Sequence, residues 1–133
     1  MSTNGMIAIA GKHEGEFLGR YIHWDGDTAG QHVRKILERD GLEKATQVLL
    51  HEHYGWSSID AVGIGVSRDV ARWLMVEGYG EAYTHAEQDD VWLHSREASL
   101  HIEFAHVITA AGVASYAHKG DDWSPLPFLP IGA

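Results

Sequence analysis

Ten histidines in a chain of 133 residues are the side chains best equipped for chemistry, because imidazole changes charge near neutral pH, moves protons and binds metal ions. Two of them stand beside a carboxylate at strand spacing, His23 with Asp25 and His101 with Glu103. Residues two apart on a strand share a face, so each pair offers two ligands toward a site that needs three or four. If the two strands are neighbours, His23, Asp25, His101 and Glu103 form a metal centre of the kind used by hydrolases and nucleases. His51-Glu52-His53 offers less, since on a helix residues two apart lie roughly 200° around the axis and do not share an ion. It is also not the His-Glu-x-x-His pattern. His106, alone on an apolar face, reads as a hydrogen-bonded core histidine, and His13, His32, His85 and His118 read as solvated. The chain has no cysteine, which removes thiolate metal sites, disulfides, iron–sulfur clusters and cysteine nucleophiles. Ser57, Ser58 and Ser67 lack the setting of a nucleophile elbow. Gly63-Ile64-Gly65 lacks the further glycine and lysine of a phosphate loop. No catalytic residue and no cofactor follow from these patterns.

Nineteen acidic against ten basic residues give a net charge of −9, and protonating every histidine would bring the chain close to neutrality. Such a chain repels phosphate at neutral pH, which disfavours direct nucleic-acid binding. Its densest cationic group, Arg34, Lys35 and Arg39, is interrupted by Glu38 and Asp40. The acidic residues come in short groups rather than blocks of five or more, which argues against mimicry of nucleic acid and for solvated loops. No apolar run approaches the roughly 20 residues of a membrane helix, and Met6–Ala10 is too short for a signal peptide. A soluble, cytoplasmic protein is expected. The five tryptophans read as core and interface anchors.

These residues need elements to hold them. Met6–Ala10 suits a strand, Lys12–Glu16 a hairpin turn, and Phe17–Trp24 a second strand. In that second strand Leu18, Arg20, Ile22 and Trp24 share one face and Phe17, Tyr21 and His23 the other. Thr28-Ala-Gly-Gln31 has the form of a capping box. Val33, Ile36 and Leu37 follow at helical spacing, and Gly41 is the natural stop. A second helix is expected over Leu42–Tyr54, a short one over Asp69–Met75, and strands over Val91–His94, Leu100–Ile108 and Val113–Ala117. Thr109–Gly112 reads as a tight connection. The order predicts an α+β fold, one domain over residues 1–120 with an antiparallel sheet and two or three helices packed on one face. Residues 121–133, with three prolines, form an extended tail. Its Leu126, Phe128 and Leu129 are expected to dock on the domain or on a neighbouring chain.

Tyr21, His23, Trp24, Asp25 and Gly26, followed by a helix and by Leu50-His-Glu-His-Tyr54, carry a resemblance. The pattern resembles a family of small, uncharacterised bacteriophage and prophage proteins with a Tyr-x-His-Trp-Asp-Gly motif. The likeness covers residues 6–60 and, more faintly, 100–118, where Ile102-Glu-Phe-Ala-His-Val107 looks like the family's later strand. Asp27 and Thr28 stand where that family tends to have Tyr and Pro, and His32 replaces a second glycine. The resemblance implies a phage accessory protein and supplies no mechanism. On the residues themselves, Trp24 is expected in the core beneath the helix, Gly26 in a positive-φ turn, and Asp25 on free amides of that turn. Tyr21, His23 and Asp25 would then form an open polar patch for a partner or ligand. Three functions fit. The leading one is a non-enzymatic binding module on a host or phage macromolecule, a protein partner being expected, with self-association through the tail or a sheet edge. The others are a metal-dependent hydrolase using His23, Asp25, His101 and Glu103, and a binder of a nucleotide-type small ligand beside the helix start.

Overall fold

The strand at the middle of the molecule is the first apolar run. β1 (Gly5–Ala10) pairs antiparallel with β2 (Phe17–Ile22) through a hairpin and parallel with β7 (Phe104–Thr109). The computed structural model describes residues 3–24, 26–60, 73–83, 92–95, 102–119 and 122–132. Within them the sheet continues on one side of β7 to β8 (Gly112–Lys119) and then to β10 (Leu129–Pro130), with β9 (Asp122–Pro125) also on β8. On the other side β2 leads to β3 (Gly55–Ile59), β5 (Gly80–Tyr83) and β4 (Trp73–Val76), while β6 (Leu93–His94) pairs with the start of β2.

This corrects the expected fold class. Strands make up 47% of the described residues and helices 22%, and the sheet is mixed, not antiparallel. Its ten strands dominate α1 (Ala29–Asp40), α2 (Leu42–Thr46) and the π turn Gln47–His51 that continues α2. The physical reason is the crossover. Parallel neighbours need a long crossover between them, and the two helical segments between β2 and β3 supply one, so that Tyr21–Ile22 pair parallel with Gly55–Trp56. No local pattern announces that register. The Asp69–Met75 helix is overturned where it is described, because Trp73–Val76 is a strand; the rest of it lies outside the described residues.

α1 forms where its apolar spacing predicts, burying Val33, Ile36 and Leu37. Thr28 stands at its N-cap without a side-chain cap bond, so the capping box is not made. Gly41 ends it with φ +88°, a conformation that favours glycine. The second helix is shorter than expected. After Thr46 the chain widens into a π turn closed by Glu52 N–H on Gln47 O (3.0 Å).

Both faces of the sheet carry apolar side chains. On one, Ile7, Ile22, Trp56, Ile59 and Ile108 meet Val33, Ile36, Leu37, Leu49 and Leu50 from the helical segments. On the other, Met6, Ala8, Phe17, Ala105 and Val107 are covered by Tyr116 and Trp123, whose rings lie 5.4 and 5.0 Å from Phe17. In the tail, Leu129 pairs with Val113 and packs with Ile131 on the first core, while Leu126 and Phe128 stay exposed.

Candidate functional site

Local register brings the recognisable motif and the later strand to one end of the sheet. The β1–β2 ladder pairs Gly5 with Ile22, and the β1–β7 ladder pairs Gly5 with Phe104. One step earlier Asn4 therefore lies between His23 and Glu103. β2 and β7 are thus not neighbours, as the metal reading required; β1 stands between them, with strands about 4.8 Å apart. Asn4 links the two sides, its N–H donating to Glu103 Oε2 (3.1 Å) and its Oδ1 accepting from the Tyr21 hydroxyl (2.9 Å). The phenol has one proton, and Asn4 takes it. The second contact, Tyr21 Oη to His23 Nδ1 at 2.7 Å, is then donated by His23 Nδ1–H, and in that tautomer Nε2 is the acceptor nitrogen. Burial raises the Tyr21 pKa and keeps the phenol protonated.

Asp25 and His101 lie outside the described residues. Of the four proposed ligands, His23 and Glu103 share the Asn4 network. Among the described residues no group of three or more His, Asp or Glu side chains is placed to hold a metal ion.

Trp24 departs from its expected place. β2 ends at Ile22, so strand alternation does not carry the two residues further to Trp24, and the indole is 49% exposed instead of filling the core. Its ring meets the His23 ring edge to face, centroids 4.7 Å apart. The backbone around it is pinned on three sides. Trp24 N–H donates to Ser57 O (3.0 Å), Thr3 N–H to Trp24 O (3.3 Å), and Gly26 N–H to Thr3 O (2.8 Å). Gly26 is there for closeness and does not adopt positive φ: a Cβ would sit 2.6 Å from the Asn4 carbonyl carbon.

Beneath this loop lies His106, 2% exposed, a hydrogen-bonded core histidine as its spacing predicts. Its Nε2 lies 2.5 Å from Gly26 O and its Nδ1 2.7 Å from Ser115 Oγ. A carbonyl only accepts, so Nε2 carries the proton and Nδ1 accepts from the serine. Burial lowers the pKa and keeps the ring neutral. A serine on a histidine nitrogen is also the arrangement of an activated nucleophile. Here both partners are buried, Ser115 5% exposed, and the backbone of Gly30 seals them, leaving a pin for the loop.

Sequence reasoning missed a polar row on the same face as Tyr21. β3 pairs Trp56 with Ala82 and then Ser58 with Glu81, the extra residue being Ser57. This bulge turns Ser57 and Ser58 together away from the Trp56 side, opposite Glu81 of β5. Ser57, Ser58 and Glu81 are buried, at 1%, 8% and 2% exposure. Bulge and register are long-range facts without a sequence signal. Arg20 was also missed. It is buried, donates from Nε to Leu50 O (2.9 Å) and lays its guanidinium 3.7 Å over Trp92.

The other histidines divide. His51 and His53 face different rings, Trp92 at 5.6 Å and Trp56 at 5.2 Å, so they do not act together. His118, expected in solvent, is half-buried and stacked on Trp123 at 4.2 Å. His32 is half-buried on α1, with burial as the first cause of its lowered pKa. His85 lies outside the described residues. No family model, curated protein or solved structure matches the chain.

Proposed function

We propose that this protein is a non-enzymatic binding module, a phage accessory protein that contacts a host or phage protein in the cytoplasm of the infected cell. The observation that carries the reading is Trp24. Full burial of so large an aromatic side chain contributes about 2–3 kcal/mol, yet this one is held half in solvent at the centre of the recognisable motif. Exposed tryptophans surrounded by fixed polar groups are the residues on which interfaces concentrate their affinity. The loop is preorganised by its three backbone bonds and by His106, which lowers the ordering cost of association. The His23 ring packs edge to face on the indole and is itself held by the Tyr21 hydroxyl, so fixed polar groups adjoin the exposed ring. The phage setting rests on the Tyr-x-His-Trp-Asp-Gly resemblance. No helix among the described residues is long and apolar enough to cross a membrane.

The test uses tagged wild-type protein and Trp24→Ala as paired baits in lysate of infected cells, read by quantitative mass spectrometry. At least one protein is expected on the wild-type bait and depleted on the order of tenfold from the variant, with the two baits equally folded by circular dichroism. Identical protein sets on both baits would overturn the proposal.

A further inference from the structure

We infer that the Trp24 patch takes a cationic side chain, an arginine or lysine presented by a basic segment of a partner protein. This rests on the binding-module reading and names the chemistry of its partner. The fold itself shows how its aromatic rings are used. Arg20 lies 3.7 Å over the Trp92 ring and Arg39 lies 5.3 Å from the Tyr79 ring centre. Trp24 has no such cation among the described residues, and half of its surface is open. An indole face is the strongest of the aromatic attractors for a guanidinium or ammonium.

The charges at this end of the sheet point the same way. Asp27, three residues along the loop, is exposed, and so is Glu103 at the same end of the sheet. Glu103 uses Oε2 to accept from Asn4 N–H, and that bond holds its carboxylate beside the Tyr21–His23 pair. Against them stands Lys119, one position beyond His118, whose N–H donates to Glu103 O. The chain as a whole carries −9, so its field draws a basic segment in and repels phosphate and acidic peptide. The His23 ring meets the indole edge to face, and the Tyr21 hydroxyl lies 2.7 Å from His23 Nδ1, so this corner of the sheet offers oxygen and nitrogen acceptors to the remaining N–H groups of a guanidinium.

The experiment is a calorimetric titration of the intact protein with an arginine-rich peptide and with a glutamate-rich peptide of equal length, followed in parallel through the indole N–H resonance of Trp24. The arginine-rich peptide should bind saturably, shift that resonance and weaken as salt is added. Trp24→Ala should weaken it on the order of tenfold. Trp24→Leu, which keeps an apolar contact on His23 without a π face, should lose nearly as much. Joint Asp27→Asn and Glu103→Gln should weaken binding several-fold and flatten the salt dependence. Binding of the arginine-rich peptide that ignores Trp24→Leu would overturn the inference, as would equal or tighter binding of the glutamate-rich peptide. Trp24-dependent capture of a partner whose bound segment holds no cationic side chain would overturn this inference and leave the binding-module reading standing. The absence of any Trp24-dependent partner overturns that reading itself.

Discussion

Gly30→Ala sets two physical effects of opposite sign against each other. Residue 30 lies in the first turn of α1, where alanine is favoured over glycine by about 1 kcal/mol on backbone entropy. Helix propensity alone therefore predicts a stabilised variant. The surroundings predict the reverse. A Cβ at residue 30 would lie 2.6 Å from His106 Nδ1, 3.0 Å from its Cε1 and 3.1 Å from Ser115 Oγ. The imidazole cannot swing aside freely, being held at both nitrogens by Ser115 and Gly26. Overpacking of this kind costs about 1–3 kcal/mol, and straining a buried hydrogen bond adds about 1–3. Subtracting the propensity term leaves a loss of roughly 3 kcal/mol, which for a domain of this length lowers Tm by about 10 °C. Chemical denaturation of Gly30→Ala, His106→Ala and the double variant measures it. In the His106→Ala background the methyl has room, so the same Gly30→Ala change should be neutral or stabilising, giving a coupling of about 3 kcal/mol. A stabilised single variant, or costs that simply add, would refute the argument that Gly30 exists to admit His106.

Three further outcomes follow from the charged and aromatic clusters. His106, His32 and His53 all have pKa values lowered, by burial first; the unfolded chain then binds more protons below about pH 6.5, so stability should fall as pH drops through that range. Urea midpoints at stepped pH measure this, and a flat profile from pH 7.5 to 5.5 would count against buried neutral rings. Asp40, at the end of α1, takes two bonds from Arg39 (3.0 and 2.9 Å) and one from the Tyr79 hydroxyl (2.5 Å), which hold its pKa down at about 2. Its contribution is complete above the ordinary carboxylate pKa and disappears as pH falls toward 2; Tyr79→Phe should cost about 1 kcal/mol and move the acid midpoint upward, and an unmoved midpoint would refute the link. Trp92→Ala, which uncovers Arg20, should cost about 2 kcal/mol, while Trp92→Phe should recover most of it; equal losses in the two would show that the ring face is not what holds the guanidinium.

Local elements were legible where one pattern decides them. The β1–β2 hairpin, the α1 spacing and the Thr109–Gly112 connection follow from period, glycine and a turn-forming hydroxyl, the last visible in Thr109 Oγ1 accepting from Gly112 N–H (3.1 Å). His106 was legible for the same reason, as the polar position on an apolar strand face. Trp24 was misread because the alternation was extended two residues past the end of β2, and Leu42–Tyr54 because nothing in Gln47–His51 announces a wider turn. The parallel pairings of β1 with β7 and β2 with β3 were illegible, since each is decided by contacts between segments far apart in the chain. The polar row of Ser57, Ser58 and Glu81 inherits that illegibility: it exists only once β3 and β5 are in register.

The pairing of β1 with β7 also sets an order of events during synthesis. Gly5 to Ala8 find their parallel partners at Phe104 to Val107, about a hundred residues later. The first hairpin leaves the ribosome with one side of its central strand bare, and it stays so until most of the chain has been translated. Closing so long a loop makes such folds slow, and an open apolar edge in the interval is a place for association with other chains. The strand at the middle of the sheet is therefore completed late, and a stop codon anywhere before β7 would leave β1 half paired.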